Sequence, residues 1–267
     1  MNHKQLFSLL LLLHVTTAIK CMESQEIQQL TIIKPFFNKL RSITKITHVM
    51  DEVEKRGLGF LDYDKRIGLI FSEFWVTTAQ PEKIIEMPRK KISVCVNGKF
   101  QEHRPQSFFD YPRIQKILMQ EILPKTFRCI EENKWATLPK SLFAQIYLQR
   151  CHTSAPMNWH QDSGKHFDHQ ANFSLIIMLS KQDNPVHGWM GGELKIKAGL
   201  PEETHNETDV KTIIHEYNQG ILFNNKINSH AVTAVLSNLM SSKRDILVVP
   251  IYFEKLPMPL LDTPSDK

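Results

Sequence analysis

Apolar positions in the second half of the chain recur with the spacing of strands. Leu142 to Leu148 is one such segment. Phe173 to Leu179 is a continuous apolar run, as in a strand buried on both faces. Glu193 to Lys197 alternates, with Leu194 and Ile196 on one side and charges on the other. Gly220 to Phe223, His230 to Val235 and Arg244 to Phe253 complete the set. Short strands separated by turn residues predict an all-β sandwich or barrel.

The earlier part has a different texture. From about Glu23 to Pro88, helical periodicity is mixed with an apolar stretch, Ile67 to Val76. Ile92, Val94 and Val96 alternate and run into Asn97-Gly98. That pair tolerates the positive φ of a tight type I′ turn, so Lys91 to His103 reads as a hairpin. Ile114, Ile117, Leu118 and Ile122 fall on one helical face, and Pro124 is expected to kink or end that helix. Helices ahead of the strands should pack against the outside of the β core. The change near residue 105 divides the chain into an N-terminal helical and hairpin region (23–105), a main domain (106–255) and a tail (256–267).

Composition changes this picture little. The 267 residues are 42% hydrophobic and 23% charged, which suits a globular chain able to bury a sizeable core without disulfides. The net charge of +5 is a mild bias that suits an anionic substrate, and no basic stripe interleaved with aromatics points to nucleic acid. Four widely spaced cysteines (Cys21, Cys95, Cys129 and Cys151) include no CxxC pair, which argues against zinc ribbons and thioredoxin-like chemistry. Free buried thiols are expected.

At the N-terminus, Leu6 to Leu13 is apolar apart from Ser8, and Thr17-Ala18 offers small residues for cleavage. Residues 1–18 therefore read as a secretory signal peptide, against the alternative of a start at Met22. That places the mature chain in the secretory pathway or outside the cell, and otherwise in the cytoplasm. No second long apolar run occurs, so no transmembrane segment is expected.

Candidate chemistry begins at His160-Gln161-Asp162. In an extended strand, residues i and i+2 share a face, so the imidazole and carboxylate can grip one ion. A second copy, His166-Phe167-Asp168, shows that the motif alone decides nothing. His230 shares a strand face with Val232 and Ala234, where a core histidine is as natural as a ligand. Arg244 opens a strongly apolar strand, on a face shared with Ile246 and Val248. A guanidinium there requires an anion, because burying it unpaired costs several kcal/mol. Two histidines and one carboxylate on a β scaffold form the facial triad of non-haem Fe(II) oxygenases. A fixed bidentate cation suits the distal carboxylate of a 2-oxo acid.

The order WHQD, a buried strand, GGEL, GILFNNKINSHAVTAV and a strand-opening arginine resembles the 2-oxoglutarate/Fe(II)-dependent dioxygenases, in their prolyl hydroxylase-like branch. The similarity covers about Leu142 to Phe253. It implies a mainly β fold with flanking helices around a double-stranded β-helix (jelly-roll) core. It implies iron ligands at His160, Asp162 and His230, a 2-oxoglutarate anchor at Arg244, and a co-substrate hydrogen bond from Tyr147. Trp159 and the loop length before Phe173 place the motif at His160 rather than at His166. Arg244 follows His230 by 14 residues, a longer interval than is usual, with the extra residues in Ser237 to Ser242. Lys243 is therefore the alternative anion partner. Ile246 stands where the family often has a hydroxyl residue. A carboxylate at Asp162, in place of the small residue of the related halogenases, favours oxygenation.

The activity so implied is hydroxylation that consumes 2-oxoglutarate and O₂ on Fe(II), releasing CO₂ and succinate, with ascorbate a further candidate requirement. The substrate is expected to be a peptidyl prolyl or other side chain, or a small molecule. Two other classes fit parts of the pattern: a cupin-like metal- or ligand-binding barrel without redox turnover, and an inactive relative that binds a partner. Asn172 and Asn206 match the N-glycosylation pattern, Asn206 in the more accessible setting.

Overall fold

The computed structural model describes residues 27–55, 66–77, 84–86, 92–96, 99–103, 116–163, 170–181, 188–203, 209–237 and 242–253. The leader 1–18, the turn at Asn97-Gly98, the second His-x-Asp copy, Asn206 and the tail 256–267 lie outside them. In chain order the elements are β1 (Leu30–Ile33), α1 (Leu40–Lys55), β2 (Arg66–Thr77), β3 (Ile84–Glu86), β4 (Ile92–Val96) and β5 (Lys99–His103). A wide π-helical turn (Leu118–Ile122) leads into α2 (Leu123–Glu132). Then come β6 (Ser141–Cys151), β7 (Met157–His160), β8 (Phe173–Met178), β9 (Trp189–Gly191), β10 (Leu194–Ala198), β11 (Lys211–Ile213), β12 (Gly220–Asn224), β13 (Asn228–Val232), β14 (Val235–Ser237) and β15 (Arg244–Tyr252).

From β6 onward the strands wind between two main sheets, with β9 and β14 paired in a small third one. The larger sheet contains the order β12-β8-β15-β6, and the smaller is β11-β10-β13-β7. All these pairings are antiparallel. Eight strands wound this way are a double-stranded β-helix, the predicted core. Strands from before residue 105 extend the larger sheet at both ends. β1 pairs with β12, and β2 runs alongside β6 from Arg66↔Cys151 to Thr77↔Ser141. The change of texture near residue 105 is therefore not a sheet boundary. β4 and β5 pair from Ile92↔His103 to Val96↔Lys99, the hairpin expected from the alternation.

Period-two alternation sorts the larger sheet's side chains into two cores. On one face Leu142, Ala144, Ile146, Leu175, Ile177, Leu247 and Val249 meet Ile46, Met50, Phe127 and Ile130 of the helices. On the other, Ile176, Met178, Ile246 and Val248 meet Leu194, Ile196 and Phe223 between the sheets. The helices thus cover the outside of the barrel, and polar groups on the inner face stand in an apolar interior. No helix among the described residues is long and apolar enough to cross a membrane. Cys129 is a free thiol.

Three segments depart from the sequence expectations. The helix that Pro124 was expected to kink or end does not end there: its winding changes at a π-helical turn just before the proline and it continues to Glu132. The Leu123 N–H reaches back five residues to the Leu118 carbonyl, and this widened turn accommodates a proline that has no N–H to donate. The single strand expected over His230 to Val235 is two strands in different sheets. Pairing with β7 shifts register between His230 and Val232, and Val235 then pairs with Gly191. Finally, β10 does not present its charges to solvent throughout. Lys197 is buried, with its ammonium donating to the carbonyls of Pro201 and Glu203 and lying 5.1 Å from the Trp159 ring centroid.

An ion network, buried at Arg150 and Asp245 and partly exposed at Asp51 and Lys243, ties α1 to the outer face. Arg150 donates to both oxygens of Asp245 at 2.7 Å and to Asp51 at 2.9 Å. Lys243 also donates to Asp51, at 2.8 Å.

Candidate metal centre

His160 is the last residue of β7, and His230 lies directly across from it on β13. Their ring centroids are 4.1 Å apart. Asp162 falls just beyond the strand end rather than within it, and its Oδ1 lies 3.9 Å from His160 Nε2 and 3.8 Å from His230 Nε2. The three ligand atoms are all within 4.8 Å of one another, and among the described residues this is the one cluster of its kind.

Hydrogen bonds fix which atoms face the centre. His160 Nδ1 is 2.8 Å from the Asn158 carbonyl, which can only accept, so Nδ1 carries the proton and Nε2 keeps its lone pair. His230 is fully buried, with Phe223 edge-on at 5.1 Å. Burial pushes its pKa down to about 4, against the raising effect of the Asp162 carboxylate, and nearby His160 adds to the depression. It is thus a neutral imidazole, the form that binds metal. The Ser174 hydroxyl donates to Asp162 Oδ2 at 2.5 Å, which leaves Oδ1 turned toward both histidines.

The backbone under Asp162 is held just as firmly. The Asp162 N–H donates to Asn225 Oδ1 at 2.8 Å. Asn225 Nδ2 returns hydrogen bonds to the carbonyls of Asp162 and Ala171, closing the base of the intervening loop. Ser174 and Asn225 escaped the sequence reading. The available signal was Ser174 itself, a hydroxyl within an apolar strand, since such a group needs a buried partner.

The triad opens onto a cavity of about 410 Å³ whose walls include Gln149, Cys151, Ile176, Ile246, Val248 and Arg244. Arg244 is 2% exposed, and its Nη2 donates to the Gly192 carbonyl at 3.0 Å. Asp245 is on the opposite face, bound to Arg150, so it is not the partner of Arg244. Lys243, the alternative anion partner, is engaged by Asp51 and does not line the cavity. Tyr147 pairs in register with the cavity residue Val248, but its side chain lies outside the described set.

The GGEL segment provides the seat for Arg244. Gly191 and Gly192 have φ of +75° and +72°, values that L side chains rarely adopt. A Cβ on Gly192 would sit 2.7 Å from Arg244 Nε, and one on Gly191 would sit 1.9 Å from the Ala234 carbonyl oxygen. Two glycines are needed here because backbone and guanidinium approach closely.

The donor set fits a divalent transition metal. Two imidazoles and one carboxylate converge from one side, as in a facial triad. The rest of the cavity, with apolar walls and one buried cation, fits a bidentate acid with a second, distal carboxylate.

No protein-family model matches the chain, and a search of curated proteins finds no relative. Among solved structures, the chain superimposes on a bsmA homologue from Methylobium petroleophilum with a TM-score of 0.53 at 13% identity, covering 87% of this chain and 91% of that one. It also aligns with IDO from Bacillus thuringiensis (TM-score 0.48, 16% identity, 85% and 94% covered). A third match is a prolyl-4-hydroxylase from Pseudomonas putida (TM-score 0.45, 11% identity, 85% and 94% covered). The first of these shows a shared overall fold across nearly the whole of both chains. At such identities the likeness is one of fold, and the chemistry must be argued from the site.

Proposed function

We propose that the chain is an Fe(II)- and 2-oxoglutarate-dependent dioxygenase that hydroxylates a peptidyl side chain, with prolyl the first candidate. The observation that carries this is the sharing of one cavity by His160, Asp162, His230 and the buried Arg244. A simple metal-binding barrel has no use for a guanidinium on its inner apolar face, which disfavours the cupin-like alternative. The preference for a peptidyl substrate rests on the sequence resemblance around WHQD and GGEL.

In this reading His160 Nε2, His230 Nε2 and Asp162 Oδ1 would hold the iron beside a cavity able to take a chelating co-substrate. Iron(II) with 2-oxoglutarate bound would activate O₂ for hydroxylation of a C–H bond, releasing CO₂ and succinate. Ser174 holds the carboxylate in its ligating rotamer. Ile176, Ile246 and Val248 keep water from the space between triad and guanidinium. Arg244 pairs with the distal carboxylate of the co-substrate. The leader-like residues 1–18 support a place in the secretory pathway, which N-terminal sequencing of the native protein tests: an intact Met1 or a start at Met22 would contradict it.

The activity is tested by incubating purified protein with 2-oxoglutarate, Fe(II) and O₂ and measuring succinate. Slow uncoupled formation, requiring both iron and oxygen, is the expected result. No succinate under any of these conditions, with no 2-oxoglutarate binding either, would refute the proposal.

A further inference from the structure

Arg244 lines two cavities. Besides the one shared with the triad, it borders a second space of about 290 Å³, walled by Trp189, Gly192, Glu193, Ile214 and His215. Glu193 accepts the Thr233 hydroxyl, and Gly192 is packed so closely against the guanidinium that no side chain fits. His215 remains. It is 8% exposed, and its Nε2 lies 3.2 Å from the Gln219 carbonyl oxygen. A carbonyl can only accept, so Nε2 carries the proton and Nδ1 keeps its lone pair. That Nδ1 is buried and has no hydrogen-bond partner. Burial first, and then the positive charge of Arg244, push the imidazole's pKa down to about 3. His215 is therefore neutral, and its unpartnered Nδ1 is an acceptor beside the same cavity as a buried cation.

We propose that His215 is the positioning and specificity residue for Arg244. Its Nδ1 takes a guanidinium N–H through one bridging water, from the side of the second cavity. The opposite side of the fork is thereby turned toward the first cavity. Because the acceptor is uncharged, it orients Arg244 without cancelling its charge, which stays available to one carboxylate. A carboxylate at position 215 would fill the same space and neutralise the cation from behind. This inference rests on the reading of Arg244 as the co-substrate's anion partner.

The test uses full-length protein loaded anaerobically with Mn(II), which binds the triad without turnover. It is titrated calorimetrically with 2-oxoglutarate and with 2-oxobutyrate, which has the same chelating head and no distal carboxylate. The readout is the ratio of the two dissociation constants. Wild type should favour 2-oxoglutarate by at least about tenfold, as befits a buried hydrogen-bonded ion pair. In His215→Leu the preference should fall about tenfold, the usual scale for a group acting behind a ligand contact, with 2-oxobutyrate affinity unchanged. His215→Asn, whose Oδ1 can stand where Nδ1 stood, should hold the ratio within about threefold of wild type. His215→Asp should lose more than His215→Leu, because its carboxylate competes for the guanidinium.

A wild-type ratio in the Leu and Asp variants would overturn the inference while leaving the Arg244 reading intact. So would an equal loss for both ligands, which is the mark of a merely structural residue. A wild-type protein with no preference between the two acids would overturn the Arg244 reading itself. Should His215→Leu fail to fold, the near-isosteric Asn and Asp variants decide, and equal ratios in those two would refute the inference.

Discussion

Replacing Ser174 with alanine isolates the support of the metal-binding carboxylate from the carboxylate itself. The Ser174 hydroxyl is fully buried and donates to Asp162 Oδ2 at 2.5 Å. Hydrogen bonds to ionised groups contribute about 1.5–3 kcal/mol. At tenfold per about 1.4 kcal/mol, metal affinity should fall about 10- to 100-fold, the range typical of groups behind metal ligands. Backbone placement should survive, since Asn225 holds the Asp162 N–H and carbonyl independently. The loss is therefore rotational freedom of the carboxylate, with the loop still in place. The assay is equilibrium titration with Fe(II) under anaerobic conditions, or with Mn(II) followed by spin resonance. Thr126→Ala is the control, because it removes another buried hydroxyl, bonded to the Ile122 carbonyl in α2. Both variants should lose a similar amount of stability, and only Ser174→Ala should lose metal. Wild-type metal affinity in Ser174→Ala would show that Asp162 needs no such support, and the geometric account of the centre would be wrong.

Further outcomes follow from the same geometry. Arg244→Ala should leave metal binding nearly intact and weaken 2-oxoglutarate by about 2–5 kcal/mol, Arg244→Lys should recover only part, and Lys243→Ala should be silent. Damage from Lys243→Ala alone would show that the anion partner is Lys243. Gly192→Ala should mimic Arg244→Ala in co-substrate titrations, because the new Cβ would meet the guanidinium; unchanged affinity would contradict the cradle. Asp245→Ala leaves Arg150 with its main partner gone and should cost about 3–5 kcal/mol in chemical denaturation, with a loss under 1 kcal/mol speaking against the network. Burial raises the Asp51 pKa, but hydrogen bonds from Lys243 and Arg150 outweigh it, so the folded value is depressed. Its contribution is therefore present above the ordinary carboxylate value of about 3.9 and lost as pH falls below it. The stability difference between wild type and Asp51→Asn should accordingly shrink toward zero in acid, and a difference that persists there would refute the assignment.

The parts of the molecule legible in the sequence were those governed by short-range periodicity. Phe173–Met178 and Arg244–Tyr252 read as buried strands because apolar residues on both faces leave no other arrangement. His160, Asp162 and His230 were brought together by the resemblance around WHQD, GGEL and GILFNNKINSHAVTAV, since alternation alone leaves the second copy, His166-Phe167-Asp168, open. Long-range pairing was not legible. Nothing local says that β2 lies along β6, or that Asn225 closes the loop after Asp162. The break after Val232 was hidden as well, since Thr233 and Ala234 suit a strand and the interruption comes from a register shift against β7. The partners of charged residues were hidden where they lie far away in sequence. Asp245 stood beside Arg244 in sequence, yet alternation sends it to the opposite face, where Arg150 binds it.

If the triad and Arg244 form one site for iron(II) and 2-oxoglutarate, as proposed, the chelate should be directly visible. The most direct measurement is an anaerobic titration of Fe(II)-loaded protein with 2-oxoglutarate, followed in the visible for the weak charge-transfer band of the chelate. A saturable band at one equivalent is expected, absent in His230→Ala and shifted to much higher 2-oxoglutarate concentration in Arg244→Ala. Absence of the band in wild-type protein shown to hold one equivalent of iron would contradict the proposal.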